Sequence, residues 1–316
     1  KPNPEEKPAM KMALSLGAKE KADCVMATDP DSDRFGTAFP DKDGNFILLS
    51  GNQMGVLLME YVFISRKEQG KLNPGAYCVR SIVTSPFADF ICKKYGVELY
   101  ECLTGFKWIA AIEKEKEAKN EGEYVFGFEE SYGYKIEKEI MDKDGVSAAA
   151  MCAEMTMYWR SCGKSLLEHL DDMYKEYGYF EDRAISKNFP GMEGVQIMNG
   201  IMAKLRKEGL KSIAGKKVIK IRDIQTSESF DPCKPEIKEK VTFPKSNVLQ
   251  FFLEGGTIVS ARPSGTEPKI KFYINSRTEV GGGKSDSDLE NAKKEAAILC
   301  DSIENDINRL LDEAGK

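Results

Sequence analysis

The sequence feature that most constrains the fold is a regular alternation of strand and helix patterns between residues 76 and 128. A strand pattern in AYCVRSIVTS precedes a helix pattern in PFADFICKKYG, and the same order repeats through VELYEC, TGFKWIAAIEKEKEAKNEG and YVFGF. Parallel strands need crossover connections, and helices with short loops supply them. The middle of the chain is therefore predicted to be α/β, with a mixed, mostly parallel sheet layered with helices.

The two ends of the chain have different patterns. Residues 4–16 predict a helix that ends at Gly17, and residues 23–28 (DCVMAT) predict a short buried strand. Because a domain rarely opens with one helix and one strand, we expect this segment to be the last part of a domain. After residue 178, strands are grouped together and a long amphipathic helix follows, which predicts a separate C-terminal α+β domain.

Composition excludes several classes of function. The 316 residues include 46 basic and 51 acidic side chains, for a formal net charge of −5, with eight Cys and one His. His169 alone cannot form a two-His metal site, and its amphipathic surroundings predict a surface or half-buried helix position. The absence of a C-x-x-C pair argues against structural zinc, and cysteines among apolar neighbours indicate reduced thiols in the cytoplasm. Mild acidity argues against nucleic acid as a partner, and no apolar run is long enough for a membrane span.

The first motif that carries chemistry is the acidic loop DPDSDR, which directly follows the DCVMAT strand. Its carboxylates at alternate positions, Asp29, Asp31 and Asp33, can converge on one point, and only a cation makes such crowding favourable. Oxygen ligands select a hard ion such as Mg²⁺. An EF-hand loop would require Gly and Glu where Arg34 and Pro40 stand, so that interpretation fails. A phosphatase of the haloacid dehalogenase type and a solvated acidic turn stay open as alternatives.

The second motif is FGFEESYG, residues 126–133, at the end of an apolar strand. A carboxylate, a hydroxyl and glycines together suit the recognition of a neutral polyol, because Glu129 can accept hydrogen bonds from two sugar hydroxyls. A capping segment between a strand and a helix explains the same residues equally well. The motif alone therefore leaves both interpretations open.

The third motif is RPSGTEPK, residues 262–269, between two predicted strands. Small residues with free backbone N–H groups form a concave anion site, and the Arg, Lys, Ser and Thr side chains add further donors. The spacing differs from that of a Walker P-loop. A plain hairpin turn would not require so many donors, so this loop is predicted to bind a phosphate group.

Taken together, DPDSDR, TGFKW, GFEES and RPSGTEPK, in this order and at these separations, resemble the α-D-phosphohexomutase superfamily, and within it the bacterial phosphoglucomutases related to phosphopentomutases. The resemblance covers essentially the whole chain. It implies that residues 1–45 are the end of the family's second domain, that residues 46–178 are the third, and that residues 179–316 are the fourth, TATA-binding-protein-like domain. The family's first domain has a phosphorylated serine in a loop without a counterpart here, so we expect a fragment that lacks mutase turnover by itself.

The resemblance also implies a role for the residues of each motif. Mg²⁺ would be held by Asp29, Asp31 and Asp33, and Arg34 would act as the catalytic residue beside the transferring phosphoryl group. The residues expected close to the sugar are Thr104, Glu129, Ser131 and Lys143. The residues expected to bind the phosphate that does not react are Arg262, Ser264, Gly265, Thr266 and Lys269.

The reaction implied by the resemblance interconverts a hexose 1-phosphate and a hexose 6-phosphate through a phosphoserine and a bisphosphate. The expected ligands are glucose 1-phosphate, glucose 6-phosphate and glucose 1,6-bisphosphate. Phosphopentomutase and phosphomannomutase activities are the alternatives within the superfamily. A metal-dependent sugar phosphatase and a non-catalytic sugar-phosphate-binding fragment are the alternatives from other classes.

Overall fold

The computed structural model describes residues 2–136, 138–189, 191–264 and 267–314. The chain divides into two compact units, Lys1–Met173 and Tyr174–Lys316. Helix α6 (Leu166–Tyr177) contains the boundary between them. Both units combine helices with sheets, so the predicted α/β class is confirmed.

A small antiparallel sheet opens the first unit. Its strands, in the order β1-β2-β3, are Val25–Thr28, Phe35–Pro40 and Phe46–Leu48. Helix α1 (Lys7–Glu20) packs on this sheet through the buried Met10. The prediction that this helix ends at Gly17 is wrong. The helix continues for three more residues because the buried Gly17 lets it approach the sheet, where a Cβ atom would lie 2.5 Å from Cγ2 of Val25.

A mostly parallel sheet occupies the rest of the first unit, as the alternation of patterns predicts. Its strands are β4 (Ala76–Ser81), β5 (Glu98–Cys102), β6 (Glu123–Glu129) and β7 (Gly133–Lys135). In the order β5-β4-β6-β7, strand β4 pairs in parallel with β5 and β6, and β7 returns antiparallel to β6. The carboxyl ends of the three parallel strands consequently lie at one edge of the sheet, where α/β proteins place their ligands.

Helices connect and cover these strands. They are α2 (Gly51–Glu68), α3 (Phe87–Tyr95), α4 (Phe106–Lys119) and α5 (Gly145–Ser161). A capping box of Ser50 and Gln53 begins α2, which is buried along most of its length. Gly96, in the left-handed conformation, ends α3.

The second unit is built on an eight-stranded antiparallel sheet in the order β12-β11-β10-β13-β14-β15-β8, with β9 paired to β10. Its strands are β8 (Tyr179–Asn188), β9 (Ser212–Ile213), β10 (Lys216–Asp223), β11 (Glu228–Phe230), β12 (Lys238–Lys240), β13 (Leu249–Leu253), β14 (Ile258–Pro263) and β15 (Lys269–Thr278). Helices α7 (Met192–Glu208) and α8 (Asp286–Ala314) share one apolar core with this sheet. The predicted α+β character of this region is confirmed.

His169 is more buried than its sequence context predicts. Only 8% of the residue is exposed, and the prediction of a surface or half-buried position is wrong. Its Nε2 atom lies 2.7 Å from Oε2 of Glu60, and its ring stacks on Trp159 with centroids 3.5 Å apart. The buried carboxylate of Glu60 on α2 supplies the polar partner that lets the imidazole enter the interior.

Among the helices of the described residues, none is both long and apolar enough to span a membrane.

A buried ion pair ties helix α4 to strand β7. Nζ of Lys135 lies 2.8 Å from Oε2 of Glu113, and both side chains are almost completely excluded from solvent. The ammonium also lies over the ring of Tyr124, 4.1 Å from its centroid. Because a charge inside a protein is costly unless it is paired, each member of this pair depends on the other.

We predict that K135M lowers the free energy of unfolding of the first unit by about 3–5 kcal/mol, because it leaves Glu113 buried without its cation. Urea unfolding followed by tryptophan fluorescence is a suitable measurement, since both tryptophans, Trp108 and Trp159, belong to this unit.

The matched control is K138M. Lys138 pairs with Glu117 at 2.9 Å, but both side chains are more than half exposed. Exposed pairs contribute at most about 1 kcal/mol, so this variant should unfold close to the parent. Similar losses in the two variants would contradict the importance of the buried pair.

Candidate functional site

The acidic loop joins β1 to β2, and it brings its three aspartates together as the sequence predicts. One carboxylate oxygen from each of Asp29, Asp31 and Asp33 lies within 4.8 Å of the others. Asp29 is buried, Asp33 is half-buried and Asp31 is exposed. Ser32 adopts a left-handed conformation with φ of 57°, and its backbone N–H donates to the carbonyl of Asp29 over 3.0 Å, which closes a turn. The loop thus concentrates negative charge on a short segment of backbone.

Arg34 offsets part of that charge. Its backbone N–H donates to Oδ1 of Asp29 over 3.0 Å, and its Nε donates to Oδ2 over 2.6 Å. Burial disfavours the ionised form of Asp29, but these hydrogen bonds and the charge of Arg34 outweigh it and lower the pKa of Asp29 below its ordinary value. Asp29 therefore stays ionised and oriented at neutral pH.

Lys143 offsets charge at the other end of the loop. Its Nζ lies 2.5 Å from Oδ2 of Asp33. Its methylene chain packs against Gly133 so closely that a Cβ atom added to that glycine would lie 2.9 Å from Cδ of Lys143. Partial burial disfavours the ammonium, but Asp33 and Asp142 outweigh it and raise the pKa of Lys143. Lys143 is therefore a fixed cation between the acidic loop and the strand that follows the GFEES motif.

The N-terminus of helix α5 also supports the acidic loop. The backbone N–H of Gly145 donates to the carbonyl of Ser32 over 2.9 Å, and a Cβ atom at Gly145 would lie 2.7 Å from that oxygen. Asp144 caps the helix by accepting from the backbone N–H of Ser147 over 2.9 Å. A glycine is thus required where the helix meets the loop, and sequence reasoning missed it, although a Gly after a capping Asp is a visible signal.

Glu129 closes strand β6 and is held by the TGFKW turn. The backbone N–H of Gly105 donates to Oε1 of Glu129, which is buried. Thr104 precedes that glycine, in the loop between β5 and α4, and Ser131 lies two residues after Glu129; both are partly exposed. The structure therefore brings TGFKW and GFEES together at the carboxyl ends of β5 and β6.

The GFEESYG loop is also joined to the acidic loop. The backbone N–H of Phe35, at the start of β2, donates to the carbonyl of Tyr132 over 3.0 Å. Tyr132 has a φ of 63°, and its hydroxyl donates to the carbonyl of Leu49 over 3.2 Å. Backbone hydrogen bonding thus joins two loops that lie about 100 positions apart in sequence.

Glu130, in the same loop, is a further polar residue that sequence reasoning missed. Its Oε2 accepts from the hydroxyls of Ser81 over 3.3 Å and Thr84 over 3.4 Å, at the carboxyl end of β4. Its carbonyl lies 2.1 Å from the place where a Cβ atom on Gly51 would be, so only glycine fits at the start of α2. The hydroxyl cluster directly after a strand, in RSIVTS, was the available signal.

The RPSGTEPK loop belongs to the second unit and connects β14 to β15. The backbone N–H of Ser264 donates to the carbonyl of Lys269 over 2.7 Å, which closes the hairpin, and the N–H of Glu267 donates to Oγ of Ser264 over 3.2 Å. Gly265 and Thr266, the other two predicted phosphate ligands, lie outside the described residues.

Positive charge accumulates beside this hairpin. Arg262 on β14 lies directly opposite Lys271 on β15, and Lys269 lies two residues before Lys271 on the same side of the strand. Within the described part of the chain, neither Arg262 nor Lys269 has an acidic partner. Lys271 was not predicted, although its alternation with Lys269 was visible in the sequence.

Family profiles match most of the first unit. The phosphoglucomutase/phosphomannomutase alpha/beta/alpha domain III profile matches residues 50–177, and the domain II profile matches residues 1–44. The phosphoglucomutase of Staphylococcus saprophyticus is 35% identical over 277 residues, which are 88% of this chain and 49% of that protein. The chain belongs to the phosphoglucomutase/phosphomannomutase family. The phosphoglucomutase of Staphylococcus aureus is 36% identical over 273 residues, 86% of this chain and 48% of that protein.

Solved structures of the family share this fold. The phosphoglucomutase/phosphomannomutase family protein of Burkholderia thailandensis superposes with a TM-score of 0.57 at 15% identity, over 99% of this chain and 51% of that one. The open form of parafusin, a phosphoglucomutase from Paramecium, superposes with a TM-score of 0.58 at 19% identity, over 94% of this chain and 50% of that one. The chain therefore spans about half the length of the relatives that it matches.

Proposed function

We propose that this chain forms the metal-binding, sugar-binding and phosphate-binding loops of a phosphoglucomutase-type isomerase, which interconverts glucose 1-phosphate and glucose 6-phosphate. The observation that carries this proposal is the junction of the acidic loop with the GFEESYG loop, through the Phe35–Tyr132 backbone hydrogen bond and the Lys143–Asp33 ion pair. Transfer of a phosphoryl group to a sugar hydroxyl needs a cation site and a hydroxyl-binding site in one place. Membership of the family supports the same conclusion.

Mg²⁺ fits the acidic loop. Its three donors are carboxylate oxygens within 4.8 Å of one another, which suit a hard cation. The ligands would be Asp29, Asp31 and Asp33, and a bound Mg²⁺ would offset charge on the phosphoryl group as it transfers. Arg34 is held on Asp29 through Nε, and on this proposal it contributes a second positive charge to that group.

The GFEES and TGFKW segments would bind the sugar. Glu129 has a buried carboxylate that is already fixed by the backbone N–H of Gly105. It can therefore accept hydrogen bonds from sugar hydroxyls with little loss of side-chain conformational entropy on binding. Ser131 and Thr104 would add hydroxyl donors beside it, and Lys143 would lie close to the substrate. A short loop of hydroxyls and one carboxylate can accept a hexose in either of two orientations, as the reaction requires.

In the proposed reaction a phosphoserine gives its phosphoryl group to the free hydroxyl of the sugar phosphate, and a bisphosphate forms. The sugar turns over, and the phosphate at its other end returns to the serine. The two serines of these loops cannot fill that role, because Ser32 lies inside the acidic loop and Ser131 inside the GFEES loop. The chain would thus supply positioning and charge, while the nucleophile lies outside these motifs.

The RPSGTEPK loop would bind the phosphate that does not react. Arg262, Ser264 and Lys269 supply charged and hydroxyl donors, and the absence of acidic partners leaves both cations available among the described residues. Gly265 and Thr266 complete the proposed set. Binding energy gained at this phosphate would position the reacting end of the sugar.

We also propose the division into family domains at residues 1–45, 46–178 and 179–316, and a cytoplasmic location.

We predict that D31N weakens Mg²⁺ binding at least tenfold, or about 1.4 kcal/mol, because it removes one of three charged ligands. Calorimetric titration of the chain with Mg²⁺ measures this. D43N is the matched control, since it makes the same change in the exposed turn between β2 and β3 and should leave the isotherm unchanged. An unchanged isotherm in D31N would refute the metal assignment.

We predict that R262A raises the Kd for glucose 6-phosphate about tenfold to a hundredfold and leaves binding of free glucose unchanged. A hydrogen bond to a charged group contributes about 1.5–3 kcal/mol, which corresponds to that range. Titration calorimetry with both ligands separates the two effects.

The control for this experiment is R309A. Arg309 lies on α8 in the same unit, 69% exposed, where it pairs with Asp306. It removes the same charge without touching the hairpin, so binding should stay at the parent value. Equal losses for glucose 6-phosphate and glucose in R262A would argue against the phosphate assignment.

A further inference from the structure

The turn that precedes helix α1 reaches the guanidinium of Arg34. Nη1 of Arg34 donates to Oδ1 of Asn3 over 3.3 Å and to Oε1 of Glu5 over 3.2 Å. Nε of the same side chain donates to Asp29, so two of the three guanidinium nitrogens make hydrogen bonds. Among the residues that the structure describes, Nη2 is the guanidinium nitrogen with no hydrogen-bond partner.

The turn itself is rigid for local reasons. The backbone N–H of Glu6 donates to the carbonyl of Asn3 over 3.0 Å, with Pro4 at the second position, where its fixed φ favours a β-turn. Oδ1 of Asn3 also accepts from the backbone N–H of Glu5 over 3.2 Å, an Asx turn. The two acceptors for Arg34 are therefore preorganised on one short segment.

The same turn is anchored to the strand that Arg34 precedes. Pro4 is buried against Gly36 on β2, where a Cβ atom would lie 2.7 Å from Cβ of Pro4 and 2.9 Å from its carbonyl oxygen. A larger residue than glycine would push the turn away from Arg34. The packing thus fixes the distance between the two acceptors and the guanidinium.

We propose that Asn3 and Glu5 are positioning residues for Arg34, which direct its unpartnered Nη2 edge toward the phosphoryl group. This inference rests on the function proposed above. Glu5 acts through orientation and not through its charge, because a carboxylate beside a phosphate would by itself repel it. A neutral acceptor of the same shape should therefore replace it.

The variants that test this are E5A, which removes the acceptor, and E5Q, which keeps a carbonyl oxygen at the same reach without the charge. E6A is the matched control, because Glu6 is the next residue, is exposed and makes no side-chain cap to α1. All three change the charge of the chain equally. A difference between E5A and E5Q is thus due to the acceptor and not to net charge.

The first measurement is calorimetric titration of the 316-residue chain with glucose 1,6-bisphosphate in excess Mg²⁺. We expect E5A to raise the Kd about threefold to tenfold, the effect of one partly exposed charge-assisted hydrogen bond. E5Q should bind at least as tightly as the parent, and E6A should match it. Parent-like binding by E5A, or an equal loss in E5A and E5Q, would overturn the positioning role.

The second measurement does not depend on the ligand. In chains labelled with ¹⁵N-arginine, the Nη–H signals of Arg34 can be assigned by their absence in R34K. Because Glu5 accepts from Nη1, these protons should exchange with water several-fold faster in E5A and at the parent rate in E5Q and E6A. An unchanged rate in E5A would overturn the inference. Absence of bisphosphate binding by the parent chain would instead count against the proposed function, while the exchange rates would still decide the role of Glu5.

Discussion

Repulsion among three carboxylates on one short loop is the constraint on which the rest of the site depends. Asp29, Asp31 and Asp33 approach within 4.8 Å, and without compensation such crowding would distort the loop or protonate one of its members. Arg34 and Lys143 supply the compensation from opposite ends, at 2.6 Å and 2.5 Å from carboxylate oxygens. The exposed Asp31 keeps the loop open to a further cation.

The cations that balance the loop also connect it to its surroundings. Lys143 comes from the segment before α5, and its methylene chain packs over Gly133, two residues after the GFEES motif. Arg34 reaches the turn before α1 through Glu5. Balancing the acidic loop therefore also fixes the loop that would bind the sugar. A single electrostatic requirement thus accounts for how these segments are held together.

Much of the fold could be predicted from sequence, because it depends on local periodicity. The alternating strands and helices of residues 76–129 and the grouped strands of the second unit follow from that signal. The errors arose where tertiary packing decided the outcome: Gly17 lies inside a helix because a sheet comes close, and His169 is buried because Glu60 is there to receive it. Neither partner is adjacent in sequence.

The sequence predicted the individual motifs of the candidate site but not the contacts between them. Three aspartates at alternate positions are a local signal, and the structure brings them together. The pairing of Arg34 with Glu5, 29 residues away, and of Glu129 with Gly105, 24 residues away, depends on strand order and loop path, which spacing does not encode. Family resemblance supplied roles for single residues but not these contacts.

Paramagnetic broadening by Mn²⁺ can show whether the acidic loop and the GFEESYG loop form one metal-dependent site. In ¹⁵N-labelled chain, substoichiometric Mn²⁺ should broaden first the backbone amide signals of residues 31–35, together with those of Gly145 and Tyr132, and excess Mg²⁺ should restore them. Broadening centred on the Asp41–Asn45 turn, or spread over the acidic side chains of the surface without reversal by Mg²⁺, would contradict a metal site shared by these two loops.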